Sequence, residues 1–153
     1  MRFFSALYGI VIAIWLGSQV GIGYIAAPVL FSQLADRSLA GNLAGAMFSA
    51  EAWLGMACAA FLLVYLAIAQ GARIMCCSVF WLVLLMLAAT LLSHFGIQPL
   101  MAQLKLEALP QPVMESALSG RFALWHGVSS GLYLLQSLLG VALVVLQDRG
   151  KKL

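Results

Sequence analysis

Four long apolar runs make up most of the chain, and the polar residues inside them fall in register rather than at random. In the last run, Arg121 to Gln147, no charge follows Arg121. At about 1.5 Å per residue it is long enough for a helix to cross a bilayer. His126, Ser130, Tyr133 and Ser137 are spaced so that they share one helical face, with Gly127 and Gly131 beside it as a small-xxx-small pair. The first run carries Gly17, Gly21, Tyr24 and Pro28 on one face, and Pro28 should bend the helix near its far end. The second run begins weakly apolar, with Gly41 and Gly45, and becomes strongly apolar after Trp53; Glu51 is the acid lying well inside it. The third has a stripe of Thr90, His94, Gln98, Met101 and Lys105, interrupted by Pro99, which should kink or locally unwind it.

These patterns predict an all-α integral membrane four-helix bundle, a single transmembrane domain with spans at about 3–34, 38–69, 74–107 and 116–147. Asp36 or Ser38 is placed to cap the second helix, and residues 70–73 make a turn short enough for an antiparallel hairpin. The second and third runs exceed the ~20 residues a span needs, so these helices should extend beyond the bilayer on the outer side, packed through Gly41 and Gly45.

Composition agrees. Of 153 residues, 64% are hydrophobic and 8% charged, against about a quarter charged in soluble domains. The formal charge of +3 is small and dispersed, which excludes a nucleic-acid footprint and leaves the basic residues as topology signals. Arg2, Arg73, Arg149, Lys151 and Lys152 flank one side, and Arg37, Lys105 and Arg121 the other. The expected orientation therefore puts both termini in the cytoplasm, in a membrane of bacterial inner-membrane type. The first apolar run is much longer than the roughly 7–15 residues of a signal-peptide core, so it is read as a retained span. Cys58, Cys76 and Cys77 lie in or at the edge of apolar segments, without metal-finger spacing or a polar-loop pair, against a thiol-oxidising enzyme.

Counting 1.5 Å per residue from the cytosolic ends puts Tyr24, Glu51, His94 and His126 at a similar depth, roughly 25–32 Å up. One comes from each helix, and ionisable groups within membranes usually face the bundle interior. Two histidines on adjacent helices suit axial ligation of a haem or coordination of a metal ion, and Met47 and Met101 are thioethers that would suit copper(I). The competing reading is structural: the polar layer fixes helix register, and no cofactor is bound.

The segments GYIAAPVLFSQL, AGNLAGAMF, SHFGIQPLM and FALWHGVSSGLYLLQ together resemble the transmembrane-protein-205-like family of small four-span proteins, a domain of unknown function. The resemblance falls on Pro28, Phe31, Ala40, Gly41, Gly45, Phe48, His94, Pro99, Met101, Phe122 and His126. A more distant likeness, on Trp15, Gly17, Pro28, Leu30 and Phe31, is to copper-resistance-D-like membrane proteins, which include a haem-binding oxidase; where that oxidase has its ligating histidine this chain has Tyr8. What the likeness implies is a bundle whose relatives handle copper or haem. The expected function is a small integral membrane protein holding haem b or a copper ion in the polar layer through His94, His126, Glu51 and Tyr24, with Met47 and Met101 as further metal ligands. The alternative is an accessory subunit without cofactor. An enzyme is not expected; were it one, it would be a membrane oxidoreductase. The expected partners are the lipid bilayer and a second copy packed through the glycine faces.

Overall fold

A computed structural model describes residues 2–150. It is an all-α membrane bundle of four helices long and apolar enough to cross a bilayer: Phe4–Gln33, Arg37–Cys76, Ser78–Glu107 and Ser119–Asp148. Each packs against the next, and the fourth closes the ring against the first. The first and third spans therefore lie diagonally opposite. The start of the first span, the end of the fourth and the turn at 71–76 lie at one end of the bundle, the terminal end. The connections at 34–36 and 108–118 lie at the other, the loop end.

Local sequence sets where the helices stop. Asp36 caps the second span, its Oδ1 accepting from the backbone N–H of Ser38 at 2.8 Å and Leu39 at 3.1 Å. Gly71, at φ 51°, ends the regular part of that helix in a conformation that favours glycine. A tighter 3₁₀ stretch, Gly71–Cys76, then carries the chain to the third span, which begins at Ser78 rather than in the apolar residues just before it. Pro110 and Pro112 hold the last connection out of α-helix until Ser119, with one 3₁₀ turn at Val113–Glu115.

The two intramembrane prolines do something more specific than kink. Ahead of Pro28 the first span widens into a π-helical turn at Gly21–Ala26, and ahead of Pro99 the third does so at Leu92–Ile97. Ala27 N–H reaches back to Ile22 O, and Gln98 N–H to Ser93 O, each five residues away. A proline ring collides with the carbonyl one turn before it and offers no N–H in return. Adding a residue to the turn moves that carbonyl aside. Two diagonal helices thus widen at the same level.

Packing is unequal along the bundle axis. Large apolar side chains fill the terminal half: Tyr8, Ile12, Trp15, Leu62, Leu66, Val79, Val83, Met86 and Leu143 are all at most 2% exposed. Toward the loop end the second and third spans still bury residues at Ala40, Ala44, Ile97 and Leu104. Among the described residues, however, the first span buries none beyond Gln19 and the fourth none before Gln136. They still meet one turn further on, where Gly23 and Tyr24 face Tyr133, and separate beyond it.

Of the glycines expected to pack, Gly41 is in ordinary contact, a Cβ there lying 3.8 Å from Phe31 Cζ and from Lys105 Nζ, but the closest approaches use other glycines. A Cβ at Gly55 would lie 2.8 Å from Trp15 Nε1, one at Gly140 would lie 2.6 Å from Leu16 Cδ1, and one at Gly23 would overlap the Tyr133 ring. At Gly17, Gly21, Gly45, Gly127 and Gly131, by contrast, an added methyl would meet no neighbouring helix within 4 Å, so the expected packing through Gly45 is not formed within the chain. Gly55→Ala should therefore lower the melting temperature of the detergent-solubilised protein, because the rigid indole must shift, at a cost of about 1–3 kcal/mol. Gly45→Ala, a better helix former in open space, should leave it unchanged or raise it by up to ~1 kcal/mol. Thermal melts of the two variants side by side check the contrast.

Candidate functional site

Where the apolar core ends, a layer of polar side chains crosses the bundle. Trp15 and Gln19 stand one turn apart on the inner face of the first span, both at 0% exposure. Glu51, 6% exposed, comes from the second span one turn beyond Gly55, whose missing side chain makes room for the Trp15 indole. Gly140 likewise leaves space beside Gln19 Oε1, which would lie 3.7 Å from a Cβ there.

Part of this layer is closed by hydrogen bonds between helices. Tyr133 donates its phenolic hydrogen to the Gln19 carbonyl at 2.6 Å, tying the fourth span to the first. Tyr24 donates to Ser137 Oγ at 3.0 Å, and Ser137 in turn donates to the Tyr133 carbonyl at 2.9 Å. On the other side Gln136 donates through Nε2 to Thr90 Oγ1 at 2.9 Å, and Thr90 donates to the Met86 carbonyl at 2.9 Å. The fourth span is thus fixed to both diagonal helices at one level.

The rest of the layer is open. Trp15 Nε1, both polar atoms of the Gln19 amide and Glu51 Oε1 are buried with no hydrogen-bond partner among the described residues. In a bilayer such groups have no water to fall back on, and each unmet one costs several kcal/mol. Aromatic rings border the same region toward the loop end. Phe48, one turn from Glu51, meets Tyr133 edge-on at 5.2 Å, and Tyr24 lies 6.1 Å from Tyr133. Glu51 is within electrostatic reach of Tyr133.

The six residues singled out from sequence are distributed unevenly around this layer. Glu51 is in it. Tyr24 reaches it through its hydroxyl, although its ring is 47% exposed. His94 is half-buried on the seam between the second and third spans, its Nδ1 3.0 Å from Gln98 Oε1 and its ring 5.5 Å from that of Trp53. His126 is exposed and stacks on Phe122 of its own helix at 6.2 Å. Met47 and Met101 are half-buried. Among the described residues no group of three or more His, Cys, Asp or Glu is placed to hold a metal ion. The face carrying His126 and Ser130 is continuous with that of Tyr133 and Ser137, but at the height of His126 the first span no longer covers it.

The sequence pattern assigned no site role to Gln19 or Gln136, and Trp15 entered only through the distant likeness. The available signal was an amide side chain near the middle of each of two apolar runs, off the main polar stripe and therefore easily taken for an isolated residue. Residues 10–110 match a family described as a domain of unknown function (DUF4149). The chain belongs to this family. The stretch shared with the family includes Trp15, Gln19, Glu51 and Thr90, while Tyr133 and Gln136 lie beyond it. No curated protein and no solved structure matches the chain.

The bond between Gln136 and Thr90 should show as thermodynamic coupling. In a double-mutant cycle of Gln136→Leu and Thr90→Val, the pair should be worth about 0.6 kcal/mol and up to ~1.7 kcal/mol in detergent unfolding. Additive single effects would mean that the bond contributes no net stability.

Proposed function

We propose that this integral membrane protein is a small binding module whose site is the polar layer at Trp15, Gln19 and Glu51, reached from the loop end. The observation that carries the reading is the set of buried, unpartnered donors and acceptors from two facing helices. A layer serving only to fix helix register gains nothing from polar atoms left unmet, since an apolar replacement would avoid their desolvation cost. The position of the layer adds direction. Large apolar side chains seal the terminal half below it, while above it the first and fourth spans meet only through Gly23, Tyr24 and Tyr133 and bury no side chain. Such a site takes up a ligand from one side and does not conduct through the membrane.

With the termini in the cytoplasm, as the basic flanks indicate, the open side is the outer one. The open faces at Gly17, Gly21, Gly127 and Gly131 would let a second copy approach, and the binding reading does not require it. The register-fixing alternative draws its support from the satisfied bonds of Tyr133, Tyr24 and Gln136. Haem or copper shared by His94 and His126, in keeping with a likeness to copper-resistance-D-like or transmembrane-protein-205-like proteins, has less support. His126 is exposed, and the ring contacts of His94 are with Trp53 and Phe95. An absorption band from haem, or stoichiometric copper, lost in both His94→Ala and His126→Ala would restore that reading.

Accessibility tests the proposal directly. In a background with Cys58, Cys76 and Cys77 replaced by alanine, Glu51→Cys should react with a membrane-impermeant maleimide added outside intact cells. Leu62→Cys, in the sealed half, should not. Failure of the residue-51 cysteine to react from either side would favour the register-fixing alternative, and reaction only from the cytosolic side would reverse the orientation.

A further inference from the structure

Resting on that reading, the geometry points to the class of ligand: we propose that the layer binds an amphipathic organic amine in its ammonium form, with Glu51 as counter-ion. Glu51 is 6% exposed, and no basic side chain among the described residues lies against its free oxygen. A carboxylate held in such surroundings is stabilised by a cation that brings its own charge and N–H donors. The basic residues nearest the loop end are committed elsewhere or exposed: Lys105 donates to Asn42 Oδ1 at 3.0 Å, and Arg37 and Arg121 are exposed.

The remaining groups fit the same ligand. Gln19 Oε1 is a second free acceptor, buried within 3.7 Å of where a Cβ at Gly140 would lie. An ammonium group has N–H donors enough for both Glu51 and Gln19. Beside Glu51, Phe48, Tyr133 and Tyr24 present aromatic surface, which attracts a cation through its ring quadrupole and an apolar body through contact area. Access suits an amphipathic molecule as well. Beyond the Tyr24 and Tyr133 rings, which close the seam just above the layer, the first and fourth spans bury no side chain, so the approach to that pair opens sideways toward lipid as well as along the axis. A partitioned amine reaches Glu51 head first with its apolar part still in a hydrocarbon-like surrounding.

The test uses the full-length protein in detergent, with 2-phenylethylamine and its neutral counterpart 2-phenylethanol as probes, followed by calorimetry at a pH where the amine is charged. The amine should bind saturably and the alcohol at least roughly tenfold more weakly, in line with the ~1.5–3 kcal/mol of a hydrogen bond to a charged group. Glu51→Gln, which keeps size and shape, should reduce amine binding by a similar factor. Phe48→Leu should weaken it less, leaving the preference for amine over alcohol intact. Unchanged size-exclusion profiles and melting curves ensure that each variant is folded. Absence of saturable amine binding, or amine binding unaffected by Glu51→Gln, would overturn the inference. Equal binding of amine and alcohol, lost in Gln19→Leu but not in Glu51→Gln, would overturn the cation class while leaving the binding module in place. An unreactive cysteine at residue 51 in the accessibility experiment would remove the module itself.

Discussion

Everything in this protein follows from the bilayer's refusal to hydrogen-bond. Inside hydrocarbon a polar atom must find its partner within the chain, or in something the chain holds. The backbone meets that demand by being helical almost throughout, and the side chains meet it by gathering into one layer instead of scattering along four helices. Within the layer the demand is met on one side, where Tyr133, Ser137 and Gln136 bond across helices, and unmet on the other, at Trp15, Gln19 and Glu51. That imbalance is what the binding proposal rests on.

The layer's position is set by size and by proline. Below it, aromatic and branched aliphatic side chains from all four spans interdigitate. Above it, the first and third helices each use a π-helical turn to accommodate a proline, and the inward positions of the second span become alanine. Small side chains and widened helices cannot fill the same cross-section as Trp15, Met86 and Leu62, so the bundle opens toward one end. The exposed rings of Trp53, Phe95 and Tyr24 lie around that wider half, where aromatic residues suit the membrane interface.

Much of the architecture was legible in the sequence. Apolar runs of spanning length leave helices as the way to satisfy the backbone in lipid, and the short turn at 70–73 forces its two helices to be antiparallel. Asp36 as a cap and the prolines as disturbances were equally local matters. Glu51 and Tyr24 were also found, because an acid deep in an apolar run and a polar side chain on a striped face are visible one helix at a time.

Contacts between helices were not legible, because periodicity gives the face of a residue but not what stands opposite it. Three small-xxx-small pairs looked like packing seams, yet the seams formed at Gly23, Gly55 and Gly140, each opposite a bulky side chain from another helix. His126 shares its stripe with Tyr133 and Ser137, yet it is exposed because the neighbouring helix has already moved away at that height. Gln19 looked incidental in the sequence and became central once Tyr133 and Gly140 of the fourth span closed on it. The sequence by itself determined a four-span helical membrane protein, since chain length, hydropathy and turn chemistry act within one segment. Tertiary structure alone decided which polar residues meet and which remain unmet, since that depends on how four helices of unequal bulk share one cross-section.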